Sequence, residues 1–272
     1  MIKLAHLSDL HFGRERPEVV EGLLASLAEQ QPETVIISGD LTQRARKVEY
    51  AAAEKFLDRI DVNCLTIPGN HDISAFNLLE RFFYPWEKWQ QNFDHALEPE
   101  LDMPEALLLG VNTTRRWGSL LDWSRGRISH QQIDHSLSRF QAEPSDKLRI
   151  LVAHHPFWLP ADQVHRGEIG NRDAALTALG NGPLDMIVSG HLHLAFSQVQ
   201  SGIIISHAGS STSDRLPQDQ PNSYKIIRGD RTAIDISLLV WDGGTFSCKN
   251  VDRFVRRGKG WICAGTEKYR YP

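Results

Sequence analysis

Apolar and polar positions alternate in blocks along the first two thirds of the chain. Ile2–Ser8 is an apolar run of strand length. Pro17–Gln30 sets Val20, Leu23, Leu24 and Leu27 at helical spacing, and Pro17 suits a first turn, where its missing N–H is not needed. Thr34–Ser38 predicts a second strand, Val48–Arg59 a second helix and Val62–Ile67 a third strand. Such alternation predicts a parallel or mixed sheet covered by helices. Residues 75–91 read as an aromatic-rich helical stretch (Phe76, Phe82, Phe83, Trp86, Trp89), suited to a core or an interface more than to stacking bases. Ala106–Val111 and Leu148–Ala153 read as further strands, with a helix over Ser129–Phe140 between them, and Asp185–Ser189 as a short buried strand.

After His193 the pattern changes. Ala195–Gln200, Ile203–His207, Ser223–Arg228, Thr232–Trp241 and Thr245–Phe254 follow one another as strands separated by turn residues, and Asp242-Gly243-Gly244 is a hairpin signal. Strand–helix units followed by a meander predict an α/β fold of two packed sheets with helices outside. Residues 1–256 read as one domain and 257–272 as a C-terminal tail.

The 272 residues leave room for one large domain or two small ones. Apolar residues make up 41% and charged residues 24%, ordinary for a globular protein. A net charge of −4 supplies no field to draw in nucleic acid or an anionic membrane, so neither is expected as a partner. Cys64, Cys248 and Cys263 lie far apart without a paired spacing, which fits a reducing compartment, with Cys64 a small buried residue. The start of the chain has no charged leader or cleavage site, and no apolar run approaches the ~18–20 residues that span a bilayer. A cytoplasmic protein is the expectation, with a homo-oligomer left open.

The chemistry gathers at strand ends. The first strand ends in Asp9-Leu10-His11, the second in Gly39-Asp40, the third in Gly69-Asn70-His71-Asp72. Later strands end in His154-His155-Pro156 and Gly190-His191-Leu192-His193. All five clusters fall at the predicted carboxyl edge, where open α/β sheets bind ligands. A carboxylate such as Asp40 at the end of a buried strand is costly unless something positive meets it. Arg44, Arg46 and Lys47 are near in sequence; a metal ion is the other candidate. Aspartate, asparagine and histidine together suit Mn, Fe, Zn, Co or Ni better than Ca²⁺. Seven donors exceed what one open ion needs and suit two ions sharing a carboxylate, about 3.5–4 Å apart.

The ordered set D-x-H, G-D, G-N-H-D, H-H-P and G-H-x-H resembles the calcineurin-like metallophosphoesterase superfamily over roughly residues 2–210. The resemblance implies a four-layer α-β-β-α sandwich of two mixed sheets with flanking helices. By motif, Asp9, His11, Asp40 and His193 would hold one metal, and Asp40, Asn70, His154 and His191 the other, with Asp40 bridging. His71 would face the substrate phosphate, Asp72 would orient it, and a hydroxide between two transition-metal ions (Mn, Fe or Zn) would attack in line. Adjacent strand-end residues point to opposite sides, so one of His154 and His155 should reach the metals, and the motif favours the first. His6, His165 and His207 read as packed or surface residues.

Within the superfamily the short spacing and SGDLTQ resemble the bacterial cyclic-nucleotide and glycerophosphodiester phosphodiesterases. The arginine that commonly follows G-N-H-D in the cyclic-nucleotide group is missing from GNHDISAF. Arg115, Arg116 and Arg215 are candidate phosphate contacts, and Trp117 a candidate aromatic wall. A small-phosphodiester hydrolase is the first reading. A phosphomonoesterase, or a pyrophosphohydrolase of nucleotides or nucleotide-linked lipids, is the second. A non-catalytic scaffold on the same fold is the third, disfavoured because every ligand position is filled.

Overall fold

The computed structural model of the chain describes residues 1–74, 77–93, 96–116, 124–180, 183–218 and 220–269. Its first sheet contains β1 (Ile2–Leu7), β2 (Thr34–Ile37), β3 (Asn63–Thr66), β10 (Ser223–Gly229), β11 (Ala233–Trp241), β12 (Phe246–Arg257) and β13 (Gly260–Lys268), in the order β13-β12-β11-β10-β1-β2-β3. Its second contains β4 (Glu100–Asp102), β5 (Ala106–Val111), β6 (Leu148–Ala153), β7 (Met186–Ser189), β8 (Phe196–Gln200) and β9 (Ile203–His207), in the order β4-β5-β6-β7-β9-β8. β1, β2 and β3 run parallel, as do β5, β6, β7 and β9, whereas the outer pairs are antiparallel. Both sheets are therefore mixed.

The pleat sorts side chains into three cores. Leu4 and Ile36 from one sheet meet Ile150, Val152 and Val188 from the other between the sheets. Their sequence neighbours Ala5, Val35 and Ile37 face outward onto α1 (Pro17–Gln30), α2 (Lys47–Leu57) and α4 (Glu87–Phe93). Leu151 and Ala153 face outward onto α5 (His130–Ala142) and α6 (Arg172–Gly180). The parallel strands are thus largely buried on both faces, which is why their sequences are dominated by apolar residues. The result is helix, sheet, sheet, helix, as the strand pattern predicted.

Caps and breakers place the helices. Pro17 opens α1. The Ser129 hydroxyl accepts from the Gln132 amide at 3.2 Å while Gln132 Oε1 accepts from the Ser129 amide at 2.7 Å, a reciprocal cap that starts α5 one residue after the sequence expectation. The aromatic stretch is two helices, α3 (Leu78–Phe83) and α4, because Pro85 has no N–H to continue the first. Trp89 and Phe93 pack into the core beside Tyr50, while Phe83 stays 69% exposed. Phe76 and Trp117 lie outside the described residues.

Three elements escaped the periodicity: β4, α6 and β13. Residues 257–272, expected as a tail, include β13, which pairs antiparallel with β12 and buries Trp261 between the sheets. The Trp261 indole N–H donates to Asp185 at 3.1 Å, and Arg231 and Arg256 meet the same buried carboxylate. β13 exposes most of its other side chains, so it carries no apolar alternation to read. No described helix is long and apolar enough to cross a membrane.

Candidate metal centre

The carboxyl ends of β1, β2, β3, β6 and β7 meet at one edge of the sandwich. There Asp9 and His11, then Asp40, Asn70, His154, and finally His191 and His193, leave their strands. Five of these seven have left-handed backbones: Asp9 (φ 53°), His11 (50°), Asp40 (54°), His191 (71°) and His193 (58°). That conformation costs an ordinary residue ~1–2 kcal/mol, so the surrounding structure has to hold it. The loops hold one another. The amides of Asp9 and His11 donate to the carbonyls of Gly39 and Asp40 at 3.1 and 3.0 Å. The Ser210 and Thr212 hydroxyls donate to the carbonyls of Asp9 and Leu10 at 2.7 and 2.8 Å. Gly69 and Gly190 are needed for close approach, since a Cβ at either would overlap the carboxylates of Asp40 and Asp9 respectively.

The ligand atoms fall into two joined groups. His193 Nε2 lies 3.2 Å from Asp9 Oδ1 and 3.1 Å from His11 Nε2. Asn70 Oδ1 lies 3.2 Å from His154 Nε2 and 3.0 Å from His191 Nδ1. Asp40 Oδ2 stands between them, 3.8 Å from His11 Nε2 and 3.3 Å from His154 Nε2. Outside the centre, His193 Nδ1 meets the Arg215 carbonyl, and His154 Nδ1 lies 2.7 Å from the Ser38 carbonyl. A carbonyl only accepts, so each Nδ1 carries a hydrogen, and in the neutral ring each Nε2 turns a lone pair inward. Asp9 Oδ1 is buried without a hydrogen-bond partner. A buried carboxylate with an unpartnered oxygen among inward-turned imidazoles calls for a cation, and this donor set fits transition-metal ions.

The electrostatics describe the same need in protons. Burial alone would raise Asp9 and Asp40, but His193 beside the first and His154 beside the second hold both carboxyls below their ordinary values. Burial alone would lower His154, but the Asp40 charge outweighs it and carries the imidazole up to about 9. Burial pushes His11 and His191 down to about 3. A proton on His154 thus occupies the place of a cation.

His71 sits at the rim. Its Nδ1–H donates to the Gln43 carbonyl at 2.8 Å, and Arg215 Nη1 donates to its Nε2 at 3.1 Å. Asp72, expected to orient this ring, instead accepts from the amides of Leu41 (3.2 Å), Thr42 (2.7 Å) and Gly69 (2.9 Å). It ties the β2 and β3 loops together, and Gln43 orients the imidazole. Burial, then the charge of Asp40, raises Asp72 above its ordinary value despite those hydrogen bonds.

His154 and His155 do not point apart: their rings meet at 5.0 Å, and His155 lies 4.9 Å from His191. The pleat ends at Ala153, so strand alternation no longer governs them. His155 Nδ1 pairs with the Thr113 hydroxyl at 2.7 Å. Among the described residues, His155 could join His154 and His191 around an ion, beside the sets Asp9/His11/His193 and Asp9/Asp40/His154. His6 is buried between the sheets on Ser38, and His207 is buried on the outer face of its sheet on Ser189. The neighbours of Asp40 are histidines, while Arg46 caps α2 over Glu49.

Above the centre opens a cavity of about 850 Å³. Asp40, Asn70, His191 and His193 line it together with Arg125, His165 and Arg166 and with His71 and Arg215, which touch one another. Arg215 is thus in the site. Arg115 instead lines a separate cavity with Trp86 and Arg127, and Arg116 is exposed outside the first. Both follow β5, which is separated from β7 by β6 and so ends away from the centre. Sequence reading passed over Gln43, which carried no signal of its own, and over Arg125 and Arg166, each an arginine followed by glycine.

Comparison with known proteins agrees with this geometry. A probable glycerophosphodiester phosphodiesterase of Arcobacter nitrofigilis is 28% identical over 187 residues, covering 66% of this chain and 63% of its own length. A probable cyclic nucleotide phosphodiesterase of a Pseudoalteromonas strain is 32% identical over 90 residues, covering 29% of this chain and 34% of its own. The matches thus span less than two thirds of the length of either relative. A dimetal phosphatase from Danio rerio superposes with a TM-score of 0.63 at 13% identity, covering 86% of this chain and 95% of that one, and so shares the fold. The calcineurin-like phosphoesterase family model matches residues 2–195, and the chain belongs to that family.

Proposed function

We propose that the chain is a dinuclear-metal phosphoesterase that hydrolyses small phosphodiesters. The observation that carries the reading is the Asp40 carboxylate standing between two groups of inward-facing lone pairs. Asp9, His11, Asp40 and His193 would hold one ion, and Asp40, Asn70, His154 and His191 the other. Bound there, two such ions would supply Lewis-acid stabilisation of a phosphoryl group and activation of water. Mn, Fe and Zn suit the donor set.

The protein's own groups do the positioning. His71 Nε2 and the Arg215 guanidinium face the same space, so a phosphoryl oxygen entering it takes the Arg215 hydrogen bond away from His71. Nδ1–H stays on Gln43 and keeps the ring aimed at the reacting group. Once Nε2, freed of Arg215, has taken up a proton from water, the imidazolium can stabilise charge or deliver that proton toward the leaving oxygen. The phosphodiesterase names of the relatives support the diester.

The monoester reading draws on Arg215, Arg125 and Arg166, cations that a dianionic phosphate could use. Bis(p-nitrophenyl) phosphate and p-nitrophenyl phosphate share a leaving group and separate the two. The diester is expected to have the higher kcat/KM at saturating metal. A tenfold preference for the monoester, about 1.4 kcal/mol of transition-state discrimination, would replace the diesterase with the phosphatase.

A further inference from the structure

The two groups of ligand atoms are supported by different parts of the chain. Asp9-Leu10-His11 is a turn with a left-handed residue on each side of Leu10. Its Asp9 and His11 amides are held by the loop after β2, through the carbonyls of Gly39 and Asp40. Its carbonyls are held from some 200 positions later in the chain. Ser210 Oγ donates to the Asp9 carbonyl at 2.7 Å, and Thr212 Oγ1 donates to the Leu10 carbonyl at 2.8 Å. Both residues are fully buried. The backbone that carries them runs antiparallel to the turn and is fastened on either side of it. The Ser211 amide donates to the Ser8 carbonyl at 3.0 Å, the Arg16 amide to the Thr212 carbonyl at 2.9 Å, and the Asp214 amide to the Arg14 carbonyl at 3.0 Å. The same segment then offers the Arg215 carbonyl to His193 Nδ1 and the Arg215 guanidinium to His71. Residues 208–216 thus reach Asp9, Leu10, His193 and His71. Among the described residues, none of their hydrogen bonds goes to Asn70, His154 or His191. His154 is oriented instead by the Ser38 carbonyl. The segment also lies beyond residues 2–195, the part that the family model matches.

We propose that Ser210 and Thr212 are positioning residues that set the affinity of the site formed by Asp9, His11, Asp40 and His193, and leave the site of Asn70, His154 and His191 to other supports. The inference rests on the two-metal reading above. A left-handed turn at a non-glycine residue persists only where its surroundings over-determine it. Removing either hydroxyl leaves a buried carbonyl of the turn without its donor. The turn then relaxes toward ordinary backbone and carries the Asp9 and His11 side chains out of register with His193. Ligands of one ion have to be held within about 0.5 Å of the working geometry, so a small rotation of this turn is felt as lost affinity.

The test reads binding of Mn²⁺ to the metal-free protein, by titration calorimetry and by the EPR signal of the free ion, without turnover. Two backgrounds separate the sites. Asn70→Ala removes an oxygen that touches only His154 and His191 and leaves the Asp9 site; His11→Ala leaves the other. In the Asn70→Ala background, Thr212→Val should weaken Mn²⁺ at least tenfold, within the roughly 10–100-fold range for groups that orient metal ligands. Ser210→Ala, a milder change should Thr212→Val fail to fold, should do the same. Thr212→Ser keeps the hydroxyl and should bind within about threefold of Thr212. In the His11→Ala background none of these changes should exceed about twofold. Equal weakening in both backgrounds would mean a general structural role and overturn the proposal. So would a change below twofold in the Asn70→Ala background, or Thr212→Ser as weak as Thr212→Val. Failure of the two backgrounds to bind one Mn²⁺ each would instead overturn the two-metal reading beneath it.

Discussion

His6 and His11 lie five residues apart, and both are fully buried. Each also leaves Nδ1 without a hydrogen-bond partner, so the contrast between them lies in Nε2. His6 Nε2 is 2.9 Å from the Ser38 hydroxyl, which can turn to donate or accept. Its surroundings are of the same kind: His207 on Ser189 at 3.0 Å, and Lys225 Nζ donating to the Phe196 carbonyl and the Ser197 and Ser206 hydroxyls at 2.6, 2.8 and 3.1 Å. His11 Nε2 faces His193 Nε2 at 3.1 Å and the carboxylates of Asp9 and Asp40 at 3.7 and 3.8 Å. At Nε2 one cluster offers rotating hydroxyls; the other offers a second imidazole and two carboxylates. Burial of a histidine therefore says little, and convergence of acceptors says much.

The sharpest way to break the comparison is Asp40→Ala. It removes the carboxylate between the two groups, so elemental analysis of the purified variant should show both ions depleted and hydrolysis abolished within detection. Asp9→Ala should deplete mainly one. Two ions retained in Asp40→Ala would mean that Asp40 does not bridge.

His71→Ala probes the rim and should have the next largest effect. Its ring touches Gln43 and Arg215 and no ligand atom through a hydrogen bond, so metal content should hold while kcat falls roughly 10²–10⁴-fold. The loss should grow as the leaving group becomes poorer. Equal turnover of an alkyl diester by variant and wild type would remove His71 from the reaction.

The inter-sheet cluster should answer to pH more than to metal. Burial, opposed by the charge of Asp252, pushes Lys225 down to about 7 from an ordinary value near 10.5. Between those values the folded chain carries fewer protons than the unfolded chain. Stability supplied by this site should therefore be low near pH 7 and increase as pH rises toward 10. Lys225→Met removes the titration. The unfolding free energy of wild type relative to the variant, measured by denaturant titration, should rise from pH 7 to pH 9.5. A flat difference would show that Lys225 keeps an ordinary pKa.

Much of the fold was readable because both faces of the central strands are buried. Ile2–Leu7, Ala106–Val111 and Leu148–Ala153 had to be mostly apolar, with Lys3, His6 and Arg149 the polar exceptions, and runs of that kind mark strands without help from neighbours. β13 was not readable, because its stability comes from pairing with β12 and from Trp261 and Asp185, at positions far apart in sequence. The break at Pro85 was legible in principle; the aromatic spacing around it masked the proline. At the site, motif order marked the residues. Strand alternation does not separate His154 from His155, since the pleat stops one residue before His154, and the preference for His154 rests on motif order. Asp72 was misassigned: its sequence neighbour His71 lies beside it, but its carboxylate turns to the backbone of a loop some 30 positions earlier.

By itself the sequence determined which residue types could hold cations and that they close successive strands, because periodicity and ligand chemistry are local properties. Only the tertiary structure decided that Asp40 stands between the two groups of ligand atoms and that Arg215 faces His71. Those facts depend on left-handed turns at Asp9, His11, Asp40, His191 and His193. An isolated chain disfavours such turns, and here the packing of one loop on the next holds them in place.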